Sequence, residues 1–151
     1  MQRILAVVLV AGLAILPGCA DSKSTTAPDS DTLQIGGTWN GSVSVNGTDA
    51  RMTWTLAQIG TAITGPMAIV LPSGIVLMNG AFSGTLTGTS LAGSVAVTPG
   101  GIPIYPSCTG QLNATMNVTL GAVSTMNGPV SLVSSTCAVP FTSSTVTLTR
   151  Q

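Results

Sequence analysis

Gly110-Gln111-Leu112-Asn113-Ala114-Thr115-Met116-Asn117-Val118-Thr119 alternates apolar and polar residues at every step. Leu112, Ala114, Met116 and Val118 fall on one side, and Gln111, Asn113, Thr115, Asn117 and Thr119 on the other. This period of two is that of a strand with one buried face; a helix of 3.6 residues per turn would spread the same apolar residues around its whole circumference. Seven further segments show the same pattern, marked by Trp39/Val43/Val45, Met52/Trp54/Leu56, Ile63/Met67/Ile69/Leu71, Phe82/Leu86, Leu91/Val95/Val97, Met126/Val130/Leu132 and Val146/Leu148. No segment of the domain carries helical periodicity, so the sequence predicts an all-β fold of eight strands.

Between these segments stand short turn signals: Asn46-Gly47, Gly60-Thr61, Pro72-Ser73-Gly74, Gly88-Thr89 and Leu120-Gly121. Such links favour hairpins, so strands adjacent in sequence are expected to be adjacent in space. A weak repeat runs through residues 62–69, 90–97 and 125–132, with Gly65, Gly93 and Gly128 in mid-strand. Interior glycines suit the close backbone approach that a small barrel needs at its corners. Pro66 and Pro129, which lack an N–H, predict bulges beside two of them. The outward residues are mostly Ser, Thr and Asn, with little charge to protect an open edge. Closure into an antiparallel up-and-down barrel is therefore expected, the alternative being a β-sandwich.

Working outward to the amino terminus, Arg3 precedes an apolar run over residues 4–16, shorter than the roughly 20 residues of a bilayer-spanning helix. The run reads as an export signal. Residues 20–35 are polar and poor in core-forming side chains, the composition of a flexible tether. The expected organisation is a signal peptide over 1–18, Cys19 and a tether over 19–35, and a barrel domain over 36–151.

The junction Leu16-Pro17-Gly18-Cys19 resembles the lipobox of bacterial lipoproteins. That resemblance implies cleavage before Cys19, lipidation of its thiol and a membrane partner reached through the lipid anchor. Lipoproteins retained at an inner membrane carry Asp directly after the Cys; here Ala20 intervenes before Asp21. The expected location is thus the cell envelope, extracytoplasmic and at an outer membrane.

With Cys19 assigned to lipid, Cys108 and Cys137 remain as a pair in an oxidising compartment and predict a disulfide. It would join the start of strand six to the loop before strand eight. The chain-entropy estimate for such a loop is roughly 3.5 kcal/mol.

Composition removes most chemistry. The chain has no His and no Glu, and beyond the tether only Asp49, Arg51 and Arg150 are charged. General acid–base pairs, a Ser-His-Asp triad and His- or carboxylate-rich metal sites all need residues that are missing. The net charge of +0 also lacks the basic face that nucleic acid demands. The expectation is a non-enzymatic protein with no cofactor, no metal and no nucleic-acid partner. An integral outer-membrane barrel is disfavoured, because there are no aromatic girdles, its inner face would have to be the Ser/Thr one, and a lipobox is redundant for such a protein.

Gly37-Thr38-Trp39 opens the first strand as Gly-x-Trp, and Arg150 closes the last. This resembles the calycin barrels, which include lipocalins, avidins and fatty-acid-binding proteins. The resemblance implies that Arg150 covers the Trp39 ring as a cation–π pair; the alternative is that Trp39 is an ordinary core aromatic. No lipocalin Thr-Asp-Tyr motif and no biotin-binding set is present.

Two features bear on binding. Met52, Met67, Met116 and Met126 fall on the inferred inner face with Trp54 and Phe82, where thioethers either line an adaptable pocket or fill gaps in a solid core. Residues 98–107, with Ile102, Ile104 and Tyr105 among three prolines, form either a mouth loop that contacts a ligand or a flap pinned by Cys108. The candidate ligand-contacting set is Met52, Trp54, Met67, Phe82, Tyr105, Met116 and Met126. The functions considered are binding of a small apolar molecule or an envelope partner, and a structural or adhesive role with a solid core.

Overall fold

In the computed structural model, which describes residues 33–137 and 143–151, every alternating segment becomes a strand. The elements are β1 (Gly37–Val45), β2 (Thr48–Ile59), β3 (Ala62–Val70), β4 (Val76–Thr87), β5 (Ser90–Val97), β6 (Gly110–Thr119), β7 (Thr125–Ser135) and β8 (Ser143–Arg150). The signal peptide, Cys19 and all of the tether before Leu33 lie outside the described residues.

Each strand pairs antiparallel with the next, and β8 returns to β1 through Trp39↔Arg150, Asn40↔Thr149, Gly41↔Leu148 and Ser42↔Thr147. The sheet is therefore a closed up-and-down barrel and not a sandwich. Closure leaves no free edge, as the sparsely charged exterior requires. The β1–β2 hairpin turns through Asn46 (φ 49°) and Gly47 (φ 75°), both left-handed, the geometry for which the Asn-Gly dipeptide is favoured.

The inward row of every strand fills the barrel. Trp39, Met52, Trp54, Ile63, Leu91, Val95, Met116, Met126, Val130 and Leu148 are completely inaccessible, and no polar or charged residue among those described is buried. Outward positions carry Thr, Ser and Asn. This is the inverse of the distribution a lipid-facing barrel wall needs.

The recurring mid-strand glycines are contact points between backbones. A Cβ at Gly65 would run into the carbonyl oxygen of Thr55 on β2, and one at Gly128 into that of Thr115 on β6. The bulges expected at Pro66 and Pro129 do not occur. Pairing of β2 with β3 breaks off after Trp54↔Met67 and resumes at Ala57↔Thr64 in the same register; that of β6 with β7 breaks off between Ala114↔Val130 and Asn117↔Asn127, again in register. The missing proline N–H thus interrupts the ladder without lengthening the strand, because the neighbouring glycine lets the opposite backbone come close. The register shifts lie elsewhere, at Ile69/Val70 against β4 and at Gln111/Leu112 against β7.

Candidate functional site

Strand direction gives the barrel two distinct ends. One holds the start of β1, the end of β8, the turns at 60–61 and 88–89 and the loop 120–124. The other holds the β1–β2 turn, the loops 71–75 and 98–109, and the Cys137 region after β7.

At the first end the chain before β1 is drawn across the barrel. Ile35, which composition groups with the tether, is fully buried and belongs to the packed domain. The Trp39 indole N–H donates to its carbonyl oxygen at 2.8 Å. Gln58 grips the same segment from β2: the Ile35 N–H donates to Gln58 Oε1 at 2.7 Å, and Gln58 Nε2 donates to the carbonyls of Leu33 at 2.8 Å and Gly60 at 3.0 Å. Arg150 adds a second clamp, donating from Nη1 to the Gln34 carbonyl at 3.1 Å and from Nη2 to that of Gly36. Its guanidinium carbon stands 5.8 Å from the Trp39 ring centroid, the cation–π contact implied by the calycin resemblance. This end is closed.

At the opposite end, the mouth, lies an apolar cavity of about 90 Å³. Its walls are the last inward residues of the strands: Val45, Ile69, Leu77, Met78, Val97, Leu112 and Leu132. Ile102, Ile104 and Tyr105 of the long loop form its roof, and Ser135 and Tyr105 bring hydroxyl-bearing side chains to its lining. Both register shifts of the barrel fall at wall residues, Ile69 and Leu112. Bulges bend and twist a strand, and here they shape the rim of the barrel around the cavity.

The roof is held by its own hydrogen bonds, with the Tyr105 N–H donating to Ile102 O at 2.9 Å and the Gly100 N–H to Pro106 O at 2.7 Å. It is tied to β4 by the Asn79 N–H donating to Gly101 O at 2.7 Å. Its far end is pinned covalently. Cys108, just before β6, and Cys137, just after β7, form the expected disulfide with Cα atoms 5.8 Å apart. Ser135 Oγ, at the cavity edge, donates to the Cys137 carbonyl at 2.7 Å. Loop 98–109 combines both expected roles: Ile102 is buried as a flap, whereas Ile104 (63% exposed) and Tyr105 (49% exposed) face solvent at the rim.

Of the seven residues that sequence reasoning offered for ligand contact, only Tyr105 lines this cavity. Met52, Trp54, Met67, Phe82, Met116 and Met126 are brought together in the closed core between the two ends, each at most 2% exposed. There the Trp54 and Phe82 rings pack with centroids 4.8 Å apart. The Trp54 indole N–H has no acceptor among the described residues, a cost of about 1–3 kcal/mol for a buried donor. Sequence reasoning missed Leu77 and Met78 at the start of β4, because Val76-Leu77-Met78 does not alternate. It also missed Gln58, whose polar side chain in an outward-reading stretch gives no signal of a clamp. No group of His, Cys, Asp or Glu suited to hold a metal occurs among the described residues.

Comparison of the chain with family models, with curated proteins and with solved structures gives no match. The closed eight-stranded barrel and the Trp39–Arg150 contact are compatible with a calycin-like domain.

Proposed function

We propose that this chain is a non-enzymatic envelope lipoprotein, cleaved after Gly18 and anchored through lipid on Cys19 at an outer membrane. Its barrel receives an apolar group at the mouth. That group belongs to a small apolar molecule or to an apolar side chain of an envelope partner. The observation that carries this reading is the mouth cavity itself: apolar walls, two bulges at its rim, and a roof held by a disulfide. Apolar side chains left at a solvent-facing rim cost free energy, and they accompany binding surfaces when they border a cavity.

The size of the cavity limits the occupant. Pockets for drug-sized ligands measure about 300–1,000 Å³, and an engineered cavity of about 150 Å³ takes benzene. At about 90 Å³ the mouth accommodates a few carbon atoms, such as a branched side chain or the tip of an alkyl chain, with the remainder lying on Ile104 and Tyr105. The same limit, together with the solid centre around Trp54 and Phe82, favours the second reading, a structural or adhesive lipoprotein that binds no ligand.

Two measurements separate the readings. Native mass spectrometry of protein from its own host detects a co-purifying apolar adduct under the first and a bare mass under the second. Methyl spectra titrated with xenon are expected to shift Leu77, Leu112 and Leu132 signals in the parent protein. The Leu77 and Leu112 signals should not shift in Leu132→Phe, which fills the space. A bare native mass together with unshifted parent spectra would sink the binding reading. Lipidation is tested by Cys19→Ser, which is expected to yield soluble protein or uncleaved precursor; membrane-bound, acylated mature mutant protein contradicts it.

A further inference from the structure

We infer that the closed end of the barrel is a bilayer-contact face, so that the domain stands on the lipid surface with its mouth turned away. This inference rests on the lipoprotein reading above and adds to it the orientation and the contacting residues.

Three observations converge on this end. First, the chain that leads back to Cys19 leaves the barrel here and nowhere else, because Gln58 and Arg150 fasten Leu33 to Gly36 against it. Second, exposed apolar side chains stand beside that exit. Ile59, adjacent to Gln58 and one residue before the β2–β3 turn, is 85% exposed, and Val123 in the β6–β7 loop is 66% exposed, with Leu120 nearby in the same loop. In the closed strand order β2 and β6 occupy opposite walls, so these tips stand on opposite sides of the closed end. Two apolar points across a closed end suit a flat, yielding surface. Third, charge at this end is sparse: Arg150 is the one charged side chain among the described residues there, and it is held by the Gln34 and Gly36 carbonyls, whereas Asp49 and Arg51 lie at the mouth end of β2. Apolar tips with so little charge beside them enter a membrane interface at low desolvation cost.

Reach is compatible. From Cys19 to Leu33 the chain can extend at most about 50 Å at roughly 3.3–3.6 Å per residue, so the lipid anchor keeps this end near the membrane and the exposed tips decide whether it touches. The mouth, with Ile75 and Ile104 on its rim, is the competing face.

The test uses full-length mature protein whose acylation at Cys19 has been read by mass spectrometry, placed in nanodiscs of phosphatidylethanolamine and phosphatidylglycerol. A nitroxide is carried on a lipid headgroup, and isoleucine and valine methyl signals are recorded. The expected result is loss of the Ile59 and Val123 signals while Ile75 and Ile104 survive. The double variant Ile59→Ser, Val123→Ser, followed at the Val118 and Ile63 methyls and at Ile75 and Ile104, should erase the difference between the ends. Loss at Ile75 and Ile104, equal loss at both ends or loss at neither in the acylated parent overturns the contact face and leaves the lipoprotein reading intact. A mass spectrum showing Cys19 without acyl groups overturns the lipoprotein reading, and this inference falls with it.

Discussion

The closed end and the mouth are made by the same eight strands, yet they differ in what occupies the last inward layer. At the closed end, residues 33–36 fold across the opening, Ile35 fills it, and the backbone groups brought in are satisfied by Gln58, Trp39 and Arg150. At the mouth the covering segment is loop 98–109. It places Ile102 inside but leaves Ile104 and Tyr105 at the rim above a cavity. A plug that supplies both volume and hydrogen-bond partners closes a barrel. A loop that satisfies its own hydrogen bonds and is held at one side by a disulfide covers the barrel without filling it.

Four substitutions sharpen or break this contrast. The largest expected effect is at the closed end, where Trp39→Ala removes the largest buried ring there and leaves the Ile35 carbonyl without its donor; about 3–5 kcal/mol of stability should be lost in urea titration. A loss below that of Leu132→Ala at the mouth would show that the closed end is not the better-packed one. Next, the double substitution Cys108→Ser, Cys137→Ser should cost roughly 3.5 kcal/mol, the chain-entropy value for its loop. Hydrogen exchange should rise at Asn79 and in loop 98–109, with the amides around Trp39 little changed. Equal acceleration at both ends would mean that the disulfide serves the whole barrel. Gln58→Leu should destabilise by about 1–2 kcal/mol, since it leaves the Ile35 N–H and the Leu33 carbonyl without their partner. An unchanged melting temperature would remove Gln58 from the clamp. The smallest effect belongs to Arg150→Ala, about 0.5–1 kcal/mol for a cation–π contact at an exposed site. A loss as large as that of Trp39→Ala would show that the guanidinium, and not the ring, holds residues 34–36.

Much of the barrel was legible because strand periodicity is a local property. Leu112, Ala114, Met116 and Val118 had to share a face whatever their partners, and Asn46-Gly47 carried its turn geometry in two residues. Gly-x-Trp with a final Arg was enough to expect the β1–β8 seam. The site was less legible. Period two tells which residues point inward but not at what height along the barrel each one sits. Met52, Met67, Met116 and Met126 therefore looked equivalent to cavity residues such as Leu132, although they pack the core. The proline bulges failed for a related reason: a missing N–H marks where a ladder breaks, whereas register depends on how the facing strand adapts, and Gly65 and Gly128 let it approach without a shift.

By itself the sequence determined the all-β class, the number and order of strands, the pairing of Cys108 with Cys137 and the absence of His and Glu. Each of these depends on residue identity or local spacing. Only the tertiary structure decided which end is plugged and which is hollow, that Ile35 belongs to the core, and that the rim bulges fall at Ile69 and Leu112. Those outcomes depend on the stagger of the strands around the closed barrel and on competition between two distant segments to fill its ends, and no local pattern encodes either.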